Sequence, residues 1–100
     1  MNTAILCVDD EKLVLDSLRI QLSRHYSQQH VLEFAQDANE GLEVIDDLAN
    51  LGIQTVLVIS DWMMPGMNGD EFLRKVREKY PNINTMILTG QANEQKMLDI

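Results

Sequence analysis

A chain of 100 residues that is 45% hydrophobic and 24% charged has room for one globular domain with a single core. Its net charge of −8 comes from acids spread along the whole length, which argues against direct binding of nucleic acid or an anionic membrane by this domain. No basic segment leading into a long apolar run opens the chain, no apolar stretch reaches membrane-spanning length, and Cys7 is the lone cysteine, so a reducing cytoplasm is the expected setting.

The first predicted strand, Ala4 to Val8, carries Cys7 as a small buried hydrophobe and runs straight into Asp9-Asp10-Glu11. A helix beginning near Glu11 places Val14, Leu15, Leu18 and Leu22 on one face. His25 and His30 flank the polar connection Tyr26-Ser27-Gln28-Gln29 without metal-ligand spacing and read as solvated loop histidines. Val31 to Ala35 alternates loosely and is polar enough for a strand at a sheet edge. Asp37 followed by Glu40 resembles a capping box. The helix it opens turns Ala38, Leu42, Ile45 and Leu48 inward, and Gly52 is a natural stop.

Thr55-Val56-Leu57-Val58-Ile59-Ser60 is a mostly β-branched run that ends at Asp61, with Pro65, Gly66 and Gly69 close behind. Such a run suits a strand buried on both faces of a parallel sheet. A third helix opens at Asn68-Gly69-Asp70, buries Phe72, Leu73 and Val76, and ends at Pro81, with Arg74, Lys75, Arg77 and Lys79 on its solvated surface. Thr85 to Leu88 makes a fourth strand running into Thr89-Gly90-Gln91, and Ala92 to Ile100 has helical character. The alternation βαβαβαβ implies an α/β domain, with a parallel sheet, right-handed crossovers and helices on both faces.

A lone aspartate at a strand end is often only a turn former. Two strands ending in acids are more informative. If they are neighbours, Asp9, Asp10 and Asp61 meet at one sheet edge, where like charges raise one another's pKa unless a cation intervenes. A divalent ion with oxygen ligands, Mg2+ above all, is the simplest resolution.

Asp9-Asp10, Asp61 with Met64-Pro65-Gly66 and Gly69, and Thr89-Gly90 together resemble the receiver domain of two-component response regulators over the entire chain. The resemblance implies a flavodoxin-like doubly wound sheet of order 2-1-3-4 and a phosphorylation-dependent signalling switch rather than a conventional turnover enzyme. It implies that Asp61 accepts a phosphoryl group from a sensor histidine kinase or phosphotransfer protein. Asp9, Asp10, Asp61 and the backbone carbonyl of Met63 would hold Mg2+. Thr89 would turn its hydroxyl toward the phosphoryl group, with the small Gly90 leaving room. Met63 and Gln91 stand where the family flanks the hydrolytic water, and an apolar Met63 leads to the expectation of a long-lived phosphoryl aspartate.

Receivers normally continue into a fifth strand that ends in a phosphate-pairing lysine and carries an aromatic switch residue. Those elements would add roughly 20–25 residues. Lys96, in the last predicted helix, is no substitute. The expected domain is therefore a C-terminally incomplete receiver over residues 1–100, either a piece of a longer protein or a shortened receiver. A shortened receiver would complete its exposed fourth-strand edge as a homodimer or swapped dimer, and either form should be poorly stable as an isolated monomer.

Three rival functions are weighed against this one. A haloacid-dehalogenase-like phosphatase would need a D-x-D motif after one strand, where this chain has Asp61-Trp62-Met63. A receiver-like scaffold for protein contacts or self-association is the alternative, with the acid set against it and the missing lysine for it. Flavin-type cofactor binding would need a phosphate-cradling loop where Asp9-Asp10-Glu11 stands.

Overall fold

The computed structural model describes residues 2–88. Its elements are β1 (Thr3–Val8), α1 (Lys12–Tyr26), β2 (Val31–Ala35), α2 (Ala38–Asn50), β3 (Gln54–Asp61), α3 (Gly69–Lys79) and β4 (Asn84–Leu88). All strand pairs are parallel, in the order β2-β1-β3-β4. β2 thus lies at an edge, in keeping with its polar sequence. The helix expected over Ala92 to Ile100 lies outside the described residues.

Period-two alternation along β1 divides the core between the two sheet faces. Leu6 and Val8, with Val58 of β3, pack under Ala38 and Ile45 of α2 and Phe72, Leu73 and Val76 of α3. Ile5 and Cys7, with Ile59, face Leu15, Leu18 and Leu22 of α1. Phe72 is fully buried at the centre of the larger cluster, a placement that stabilises by about 1.5–3 kcal/mol relative to an exposed ring. The face predicted for α1 is the one turned to the sheet, with Leu15 buried and Leu18 and Leu22 half-buried against the cluster, while Val14, also half-buried, lies outside it.

The helix ends follow local chemistry. Asp37 accepts a 2.8 Å bond from the Glu40 backbone N–H, while Glu40 reaches back to the N–H of Gln36 at 2.6 Å, one residue before the cap. α2 closes in a Schellman motif, in which the Ile53 N–H donates to Leu48 and the Gly52 N–H to Ala49. That motif needs a left-handed residue, and Gly52 supplies it with φ of +79°. α3 carries Asp70 and Glu71 in its first turn and Arg77 and Lys79 in its last, the sense that its dipole favours.

One histidine departs from its sequence reading. His25 is exposed, but His30 is half-buried, and its Nδ1 lies 2.7 Å from the Thr3 hydroxyl, tying the β2 entry to the start of β1. The residues around His30 carry no local sign of this partner, which lies 27 positions away on the first strand.

Candidate functional site

Register brings the two acid-ended strands together. Val8 pairs with Ser60, so the next residues, Asp9 and Asp61, emerge side by side at the carboxyl ends of β1 and β3. The chain passes from β1 to β2 on one side and to β3 on the other, so this is the topological switch point where open α/β sheets bind ligands. Asp9 and Asp61 are buried, and Asp10 is exposed at the rim. One oxygen from each of the three carboxylates lies within 4.8 Å of the others.

Each buried carboxylate is fixed by its own backbone. Asp9 Oδ1 accepts from the Glu11 N–H at 2.8 Å, an Asx turn that leads the chain into α1. Asp61 Oδ1 accepts from the Trp62 N–H at 2.9 Å. Asp61 Oδ2 is buried without a hydrogen-bond partner among the described residues. Burial, then the charges of Asp9 and Asp10, push the Asp61 carboxyl up to about 6, against the pull of the Trp62 N–H. Asp9 is raised as well, by burial first and then by Asp10 and Glu11, while its bond from the Glu11 N–H works the other way.

These features suit a small, hard divalent cation. The donors are all carboxylate oxygens, and one buried oxygen lacks a proton donor among the described residues. Ligand oxygens around an octahedral ion with bonds of about 2.1 Å lie about 3 Å apart in cis and 4 Å in trans. Carboxylate oxygens within 4.8 Å of one another would draw together by up to about 2 Å to close on such an ion.

The turn after β3 is held from both sides. Met64 is buried in the larger core cluster, pinning the loop that begins at Trp62. Gly69 donates its N–H to the Trp62 carbonyl at 2.8 Å. A Cβ at Gly69 would overlap the Asp61 carbonyl oxygen and lie 3.1 Å from Ser60 Oγ, so only glycine admits this approach of α3 to the strand end. Ser60 is itself fully buried and donates its hydroxyl to the Asp61 carbonyl at 3.0 Å. A groove of ≈ 520 Å³ runs beside the acids between Asp10, Asp37 and Gly66.

Of the residues singled out from sequence, Asp9, Asp10 and Asp61 converge. Met63 lies two positions past Asp61 with its side chain 58% exposed. Thr89, Gly90 and Gln91 lie outside the described residues; β4 reaches Leu88, which pairs with Asp61. Ser60 and the Trp62 N–H escaped the sequence reading. A serine closing an otherwise apolar strand was the available signal for the first; nothing in the residue types signalled the second.

A doubly wound parallel sheet with an acid triad at its switch point defines a flavodoxin-like α/β domain that could hold a cation. The chain belongs to the response regulator receiver domain family, whose family model matches residues 5–100. It is 37% identical over 92 residues to the response regulator MprA of Mycobacterium sp. (strain KMS), covering 91% of this chain and 36% of that protein. It is 30% identical over 94 residues to the sensor kinase CckA of Brucella abortus, covering 93% of this chain and 9% of the kinase. The chain thus spans well under two thirds of these curated relatives. Among solved structures it is similar to the signal receiver domain of an HD domain-containing protein from Pseudomonas fluorescens Pf-5, with TM-score 0.75, 28% identity, and coverage of 99% of this chain and 72% of that one. A response regulator receiver domain protein from Clostridium thermocellum matches with TM-score 0.74 and 27% identity, over 89% of this chain and 65% of that one. The family is one of phosphorylation-based signalling in two-component systems, and its members are signalling domains rather than conventional enzymes. Among the described residues no helix is long and apolar enough to cross a membrane.

Proposed function

We propose that this receiver domain takes a phosphoryl group onto Asp61 from the phosphohistidine of a sensor kinase or phosphotransfer protein. The observation that carries the reading is the division of labour within one carboxylate: Oδ1 is held by the Trp62 N–H, and Oδ2 is buried beside two other acids with no partner among the described residues. A nucleophile fixed through one oxygen and free at the other is already aimed, and positioning is most of what phosphoryl transfer asks of a protein.

In the proposed step the Asp61 carboxylate forms a bond to phosphorus as the phosphorus–nitrogen bond of the donor breaks. The electron pair goes to the imidazole nitrogen, and the product is an acyl phosphate. In the metal-free domain the Asp61 carboxyl stands at about 6, so it is ionised and available as a nucleophile at neutral pH. Asp9, Asp10, Asp61 and the Met63 backbone carbonyl are the residues that would hold Mg2+. When bound, the ion supplies neutralising charge to the phosphoryl oxygens and to the crowded carboxylates. Thr89 is the proposed hydroxyl that hydrogen-bonds the phosphoryl group after transfer, with Gly90 leaving space, a contact made only in the modified state and so suited to a two-state switch.

The test is incubation with acetyl phosphate and Mg2+ followed by intact-mass measurement. One phosphoryl adduct is expected, absent in Asp61→Asn and absent when EDTA replaces Mg2+. A wild-type chain that stays unmodified under conditions where another receiver is labelled would overturn the assignment in favour of a contact scaffold.

A further inference from the structure

Asp61 and Trp62 are joined by a peptide whose two polar ends are both in use. Its N–H reaches Asp61 Oδ1 at 2.9 Å, and the same nitrogen lies 3.2 Å from the Leu88 carbonyl of β4. One hydrogen is thus shared between the carboxylate and the neighbouring strand. The tilt of the peptide plane decides how it is divided, because a hydrogen bond weakens steeply as its angle closes.

The other end of that peptide is the Asp61 carbonyl, which accepts the Ser60 hydroxyl at 3.0 Å. Ser60 is fully buried, so the bond is made in a medium where water does not compete for it. Gly69 backs the same spot. A Cβ there would overlap the carbonyl oxygen and lie 3.1 Å from Ser60 Oγ, so α3 closes directly over both groups. Hydroxyl and glycine together leave the plane little freedom to turn. A carbonyl that accepts a bond also polarises its peptide, which makes the N–H at the far end a better donor to the carboxylate.

We propose that Ser60 is a positioning residue for phosphoryl transfer: through the Asp61–Trp62 peptide it keeps Oδ1 of Asp61 held, and so keeps Oδ2 aimed at the donor phosphorus. The serine acts through the backbone rather than on the donor. The inference rests on reading Asp61 as the phosphoacceptor. Misplacing a reacting group by about 1 Å can cost about a hundredfold in rate; loosening one bond of a shared pair is a milder change, with an expected loss of about tenfold.

The test follows acetyl-phosphate labelling of the whole 100-residue chain at saturating Mg2+, over a range of donor concentrations, with backbone amide exchange measured alongside. Ser60→Ala should lower the maximal labelling rate about tenfold and leave the half-saturating donor concentration unchanged. Its Trp62 amide should exchange about tenfold faster, while amides of α1 and β2 keep their protection. Ser60→Cys, close to serine in size but a weak donor, should fall between the two, and it carries the comparison if Ser60→Ala does not fold. Wild-type rates in these variants, a loss carried by donor affinity alone, or slowed labelling with Trp62 exchange unmoved would each overturn the role of Ser60 while leaving Asp61 as the acceptor. A wild-type chain that takes no label overturns the reading of Asp61 and this inference with it.

Discussion

Replacing Asp61 by Asn should make the metal-free domain more stable while abolishing its chemistry. The carboxyl is fully buried, one of its oxygens has no partner among the described residues, and its pKa stands at about 6 against an ordinary 3.8. Holding it ionised in the native state therefore costs on the order of 3 kcal/mol. Because the native pKa lies above the unfolded one, the native state binds the proton more tightly. The stability linked to this group is complete below about 3.8 and is lost as pH rises through about 6. Asparagine keeps an acceptor for the Trp62 N–H and presents an NH2 beside Asp9 and Asp10. Urea unfolding in EDTA should thus show Asp61→Asn matching the wild type near pH 4 and exceeding it by about 2–3 kcal/mol at pH 7.5. The contribution of Asp9 persists in both proteins and largely cancels in the comparison. Adding Mg2+ should narrow the gap by stabilising the wild type, by roughly 2.7 kcal/mol at a hundredfold excess over Kd. A variant no more stable than the wild type at pH 7.5 in EDTA, or a difference that does not vary with pH, would refute the electrostatic reasoning.

Two further substitutions probe the scaffold. Gly69→Ala should cost about 2–4 kcal/mol in thermal or urea unfolding, because its methyl would have to displace the Asp61 carbonyl or the start of α3; it should also slow acetyl-phosphate labelling, and near-native stability and labelling would show that the approach is not tight. Asp37→Ala removes the side-chain acceptor for the Glu40 N–H and should cost about 1 kcal/mol, measured by urea unfolding, with labelling of Asp61 unaffected.

Much of this architecture is visible in residue order because buried parallel strands read as apolar runs, and two of these runs stop at acids. The edge placement of β2 follows from Glu33 and its loose alternation, and the start of α2 follows from Asp37 and Glu40. The meeting of Asp9 with Asp61 is different in kind. It depends on Val8 pairing with Ser60, and that register includes an irregularity between Ala4 and Ile5 that no local pattern announces. The Trp62 N–H bond is likewise a property of backbone direction, which side-chain identity does not encode.

The seat of Gly69 against the Asp61 carbonyl has a mechanical consequence. With no side chain between strand and helix there is no soft material to compress, so a displacement of the strand terminus passes into α3 as a whole. Eleven residues of helix make a lever of about 16 Å. Its far end is Lys79, which with Tyr80 bonds Asp46 of α2, so the two ends of the domain are joined by a strut rather than a cushion.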